Sequence, residues 1–303
     1  MTHPGATQAG IDIHIRLSDS FTVTRTIDCF IPGHSFPAVS VTGGECALRC
    51  KHCSGAFLKH MLRATDSEAL IECAQHLSDS GATGILLTGG SDSSGKVPLA
   101  GFADAVKVIK ETTALKINAH VGLMPSSELA QMVSAEIDAF SVDVYGTDTA
   151  VRDTLGLSRG ADDFLSVISS LRHLGARSIA PHVCVGIEGG AVRGEFVAIE
   201  SLVPFAPEAV VIIALMPTKG TAYEGVLPPS AESMLAVIRA ARDALPESRL
   251  LLGCMRPRSM RDWEVTAVKA GLNGIAMPSK RTMQTLAEEG WHTVEKRVCC
   301  AID

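Results

Sequence analysis

Three cysteines on one short stretch are the residues of this chain best suited to chemistry. Cys46-Ala47-Leu48-Arg49-Cys50-Lys51-His52-Cys53 places three thiols with three and then two residues between them. Three thiolates on one loop can hold three irons of a 4Fe–4S cube and leave the fourth iron open to bind another molecule. A structural zinc loop is the bland alternative. Zinc sites of that kind favour paired C-x2-C spacings with four ligands, and the chain has no second C-x2-C pair.

Six further cysteines bring the total to nine. Cys73 lies in a helical pattern and Cys184 in an apolar strand, where small buried thiols are common. Cys29 precedes the first apolar strand that can be read, Cys254 ends a later one, and Cys299 and Cys300 stand in a tail. Those four could hold a second, auxiliary cluster if both ends of the chain fold across a common mouth. Loose tail thiols are the alternative, although an exposed free pair is an oxidation liability, and neighbouring cysteines bond to each other only under strain.

The elements that must position these thiols are legible in the hydropathy pattern. From about residue 38 onward, apolar runs of strand length alternate with segments of helical period. The runs are 38–42, 84–88, 115–121, 137–144, 178–187, 209–215, 249–253 and 273–277, each rich in Val, Ile or Leu, as strands buried on both faces should be. Between them, Thr65 and Glu68 have the spacing of a capping box, Leu70, Ile71, Ala74 and Leu77 make one apolar face, and Gly81 ends the helix. Segments 126–135 and 230–245 read similarly. Eight strand-then-helix units without a linker predict an α/β chain folded as a single (β/α)8 TIM-type barrel over residues 38–290, with extensions over 1–37 and 291–303. An open or six-stranded variant stands beside it. In such a barrel the cluster loop follows the first strand, at the face where active sites lie.

Composition narrows the class. The chain has 303 residues, 46% of them hydrophobic, and a net charge of −6. That balance leaves no basic footprint for nucleic acid. No run of eighteen apolar residues occurs, so no membrane span is expected. The polar start Met1-Thr2-His3-Pro4-Gly5 is unlike a secretory signal. Nine cysteines without such a signal favour metal or redox chemistry in a reducing, cytoplasmic setting.

The loop Cys46–Cys53 resembles the signature of the radical S-adenosylmethionine superfamily, C-x3-C-x2-C with an aromatic before the third cysteine, here His52. The resemblance implies a cluster that donates one electron to bound S-adenosylmethionine, releasing a 5′-deoxyadenosyl radical that removes hydrogen from an unactivated carbon. Thr88-Gly89-Gly90-Ser91-Asp92 resembles the glycine-rich element that receives the methionine amino group, with Ser91 where an acidic residue is usual. Asp143 stands where a ribose partner would, although a loop-capping Asp is the plain alternative. Gly186-Ile187-Glu188 resembles the segment flanking the adenine, and Met216 opens a stretch, 215–221, similar to the end of the sixth strand.

Residues 38–290 as a whole resemble biotin synthase and the lipoate-forming enzymes. Arg256 falls where that family places an arginine ligand of a second cluster, but the strand cysteines that complete it are absent, their places falling near Asn118 and Ala180. Cysteines outside the strands are more like the two-component lipoate synthase. The resemblance then implies sulfur insertion into an octanoyl chain on a carrier lysine, with Cys29, Cys254, Cys299 and Cys300 on the sulfur-donating cluster. Partners implied are a lipoyl carrier domain or small acyl substrate, an electron donor such as ferredoxin or flavodoxin, and a second radical subunit. A radical isomerase, lyase or C–C bond-forming enzyme, and a non-catalytic iron–sulfur scaffold, are the competing readings.

Overall fold

The protein is described from a computed structural model covering residues 25–302. In chain order the elements are β1 (Thr26–Phe30), β2 (Ala38–Ser40), β3 (Leu62–Arg63), α1 (Ser67–Asp79), β4 (Gly84–Thr88), α2 (Ala103–Thr112), β5 (Lys116–His120) and α3 (Ser126–Ser134). There follow β6 (Ala139–Val144), α4 (Ala161–His173), β7 (Ile179–Val185), α5 (Glu195–Leu202), β8 (Ala209–Ala214) and α6 (Ala231–Ala244). The chain continues through β9 (Arg249–Leu252), α7 (Glu264–Lys269), β10 (Gly274–Ala276) and α8 (Lys280–Glu288) to β11 (His292–Lys296). No helix among the described residues is long and apolar enough to cross a membrane.

All pairings are parallel, in the order β11-β1-β10-β9-β8-β7-β6-β5-β4-β2-β3. Each of the eight expected strands is present as β2 and β4 to β10. The closed eight-stranded barrel is not: the sheet is an eleven-stranded, curled half-barrel whose ends, β11 and β3, do not pair. Two strands lie outside the expected barrel segment, β1 before it and β11 after it, and they pair with each other.

Side chains alternate across the sheet, as the two-residue period of a strand demands. One face of each strand, with Ile27, Ile85, Ile117, Val142 and Leu250, joins the main core under the helices. Helix α6 shows how that layer is built: Met234, Val237, Ile238 and Ala241 make one buried stripe. Fully burying one such side chain contributes about 1.5–3 kcal/mol. Helix α1 starts on Asp66, whose carboxylate accepts from Ala69 N at 2.9 Å. Asp66, not Thr65, is therefore its N-cap.

The other face looks into the curl, and the tail fills it. Cys300 and Ala301 pack with Phe30, Ala180, Val211, Leu251 and Ala276, and Ile302 packs with Phe36 and Ala139. Thr83 Oγ1 donates to Arg297 O at 2.6 Å and ties the segment to β4's start. Asp28, on the interior face, is satisfied by Arg249 at 2.6 Å and Lys296 at 2.9 Å.

Candidate functional site

The thiol loop is shaped by β2 and β4. Ser40 Oγ donates to Gly43 O at 2.8 Å, and Thr42 Oγ1 donates to Glu45 O at 2.8 Å while accepting from Gly90 N at 2.7 Å. Gly43 turns the chain at φ 60°, where a side chain would be strained. Gly90 lies directly under the loop. A Cβ there would sit 2.0 Å from Glu45 O and 2.6 Å from Cys46 Cβ. Ala47 N donates to Ser91 O at 2.8 Å and Lys51 N to Thr154 O at 2.8 Å. Thr154 belongs to a wide π-type turn over Ala150–Leu155, the kind that recurs at functional sites.

Inside that frame the donors converge. The ligand atoms of Cys50, His52 and Cys53 lie within 4.8 Å of one another. Cys46 stands on the same loop, close enough that its charge is felt by Cys50. The neighbouring Cys50 thiol, with help from His52, holds the Cys53 thiol down to about 4 against burial. Cys50 is pushed up by its hydrogen bond to Cys53 and by burial. His52 Nδ1 is buried with no partner. Thiolate-forming, tightly grouped donors with an unsatisfied imidazole beside them fit an iron–sulfur cube held by Cys46, Cys50 and Cys53.

The strand ends expected to hold a cofactor ring this loop. Thr88 Oγ1 donates to His120 O at 3.4 Å, and Gly89 packs on Thr42. Asp92 accepts from Ser94 N, Ser94 Oγ and Lys96 N, so its carboxylate serves its own turn. Burial raises its pKa, but those bonds outweigh that and keep it low. Gly186, at φ 77°, gives its N–H to the buried Glu195 carboxylate at 2.6 Å. Ile187 packs with Cys50 and Tyr145, Glu188 accepts from Thr147 Oγ1 at 2.8 Å, and Met216 O accepts from Thr218 Oγ1 at 2.9 Å.

Asp143 has a partner within the protein. His120 Nε2 lies 3.2 Å from its Oδ2, and His182 stacks on His120 with centroids 5.8 Å apart. Burial disfavours the His120 cation, yet the Asp143 charge and hydrogen bond outweigh it and hold His120 above its ordinary value. Burial and then the charge of His120 push His182 down to about 4, so it is neutral. These two histidines escaped the sequence reading. The signal was available: polar residues at alternate positions of apolar strands, Asn118 and His120, Ser141 and Asp143, mark the interior face.

Of the four remaining candidate cysteines, three come together. Cys254 is exposed just past the end of β9, and desolvation and the charge of Cys299 raise its pKa. Cys299 and Cys300 hydrogen-bond each other, which brings Cys299 down to about 7. Asn118 Nδ2 donates to Cys299 Sγ at 3.5 Å. Cys29 is a correction: it is fully buried with Ile27 and Val39 under the helices, on the opposite face of the sheet, and burial lifts its thiol to about 11. Arg256 is also committed elsewhere. Its guanidinium, 2% exposed, meets Glu264 at 2.6 Å and the carbonyls of Gly253 and Ala276 at 2.6 and 2.8 Å.

No family model matches the chain. Among curated proteins it is similar to biotin synthase of Halorhodospira halophila, 26% identical over 244 residues that cover 78% of this chain and 73% of that one. Biotin synthase of Brucella anthropi is 25% identical over 254 residues, 82% of this chain and 71% of the relative. Among solved structures, methylornithine synthase PylB superposes with a TM-score of 0.63 at 17% identity, over 89% of this chain and 84% of that one. The FeFe-hydrogenase maturase HydG from Carboxydothermus hydrogenoformans gives 0.64 at 15% identity, over 91% and 69%. The chain spans 65% of a further HydG structure, with a TM-score of 0.66. At such identities these structures speak for the fold.

Proposed function

Because the chain belongs to the radical S-adenosylmethionine superfamily, in its biotin synthase-like branch, we propose that it inserts sulfur into an unactivated C–H bond of a protein-bound octanoyl chain, forming lipoate. Cys46, Cys50 and Cys53 hold the cluster, and the strand ends around Gly89, Gly90, Gly186 and Ile187 receive S-adenosylmethionine. The cluster, when bound, supplies the electron that splits S-adenosylmethionine and so makes the hydrogen-abstracting radical.

The observation that carries sulfur insertion is the interior thiol group. Cys299 and Cys300 sit on a tail folded into the curl, and the exposed Cys254 lies near enough to feel the charge of Cys299; on this reading the three supply thiolate ligands to a sulfur-donating second cluster. Biotin formation is disfavoured because Asn118 and Ala180 occupy the interior strand positions where that family's ligands are expected. On this reading the curl would hold the acyl carbon near the radical and the sulfur donor. Ferredoxin or flavodoxin as electron donor, a lipoyl carrier domain as substrate, and a second radical subunit complete the reading.

The test is a Cys299→Ala/Cys300→Ala variant, assayed anaerobically for 5′-deoxyadenosine, iron and thiolated octanoyl peptide. The expected outcome is retained cofactor cleavage, about half the iron, and no thiolated product. Full iron with thiolated product removes the basis for the lipoate reading.

A further inference from the structure

The interior thiols are one ligand short. Cys299 and Cys300 line the curl, the exposed Cys254 lies within reach of the charge of Cys299, Cys29 faces the helices, and Arg256 has its donors engaged by Glu264 and backbone carbonyls. A cluster closed to outside molecules takes four ligands, and the wall beside these thiols can offer the fourth.

The wall beside Cys299 is β5. Asn118 touches the thiol, and His120 is the next interior residue on that strand. The imidazole of His120 and the thiol of Cys299 feel each other's charge. Of the two, imidazole is the group suited to iron. The orientation of His120 fits a ligand. Its Nε2 faces the Asp143 carboxylate at 3.2 Å, so Nδ1 is the nitrogen that could bind iron once binding displaces its proton. A histidine ligand typically gives its other N–H to a carboxylate, which fixes ring and tautomer and raises its basicity. His182, anchored by Nδ1 on Ala180 O at 2.8 Å, stacks on the ring and holds its plane.

We propose that His120, through Nδ1, is the non-thiolate ligand of the second cluster, beside Cys254, Cys299 and Cys300. This rests on the reading that a second cluster is present. A cluster spreads its ligands over several irons, so its donors stand wider apart than those around a single ion. His120 thus acts as a ligand, and Asp143 acts through it as a positioning residue.

The experiment uses protein carrying Cys46→Ala, Cys50→Ala and Cys53→Ala, so that only the second site can hold iron. After anaerobic reconstitution and reduction, pulsed electron paramagnetic resonance reads nitrogen hyperfine coupling, with histidine nitrogen-15 labelling to assign it. A histidine coupling is expected in this parent. His120→Cys should keep the iron, lose the coupling and move the potential to more negative values, since imidazole ligation raises it. His182→Ala should keep the coupling. A parent that binds iron without histidine coupling, or a coupling that persists in His120→Cys, overturns the proposal. A parent that binds no iron overturns the second-cluster reading itself, and this is seen before any His120 variant is made.

Discussion

Replacing Gly90 by alanine should loosen the hold on the cluster more than any other single methyl group in the molecule. The added Cβ would lie 2.0 Å from Glu45 O and 2.6 and 2.7 Å from Cys46 Cβ and Cα. These are mostly backbone atoms and cannot swing aside as a side-chain tip does. The loop must retreat by more than an ångström to reach ordinary contact at 3.4 Å. Retreat also pulls on the Gly90 N–Thr42 bond of 2.7 Å and the Ala47 N–Ser91 bond of 2.8 Å. Overpacking costs about 1–3 kcal/mol, and one weakened hydrogen bond about 1 kcal/mol more. With about 1.4 kcal/mol per decade, cluster affinity should fall roughly 30- to 1,000-fold. The assay is anaerobic reconstitution at limiting iron, followed by visible absorption, with thermal unfolding of the apo-protein alongside. Gly101→Ala is the control, since nothing lies within 4 Å of its Cβ position. Parent-like iron affinity in Gly90→Ala would refute the steric reasoning.

Three other outcomes follow from the fold. Arg256→Met should destabilise by about 3–5 kcal/mol, because it strands Glu264, 0% exposed, without its cation; adding Glu264→Leu should recover most of the loss in urea unfolding, and no recovery would show that the ion pair is not the cause. Asp138 is bonded by Lys110 at 2.6 Å, Lys116 at 3.2 Å and Ile117 N at 2.8 Å; burial raises its pKa but these partners outweigh that and depress it. Its stabilisation is present above the unfolded value of about 3.9 and lost as pH falls through the folded value, so Asp138→Asn should flatten stability against pH below about pH 5; an unchanged slope counts against it. Asp66→Ala should cost about 0.5–2 kcal/mol through the lost cap, whereas Thr65→Ala should be near neutral by thermal unfolding.

The strands β2 and β4 to β10 were legible because each lies in a mostly buried run rich in Val, Ile or Leu. β1 and β11 were not. Thr26-Ile27-Asp28-Cys29-Phe30 carries a charge inward that only Arg249 and Lys296, over two hundred residues away, neutralise. His292-Thr293-Val294-Glu295-Lys296 is a half-exposed edge with no apolar run. The thiol loop was readable because its chemistry is local in sequence. The face of Cys29 was not, since its side depends on a register set by β10 and β11. The link between His120 and Asp143 was equally hidden, because two strands must pair before their polar residues meet.

Residues 297–302 join a wall made much earlier in the chain: Arg297 reaches Thr83 across 214 positions, and Cys299 reaches Asn118 across 181. Contacts of such separation form late. During synthesis the interior therefore stays an open trough until this segment has emerged, with Cys254 and the histidines accessible to whatever delivers iron. Closing the trough and completing the thiol set are one event. Iron loading at the proposed second site should accordingly slow amide hydrogen exchange in 297–302 while leaving the helical layer unchanged, since a ligand stabilises the segment it requires to be folded.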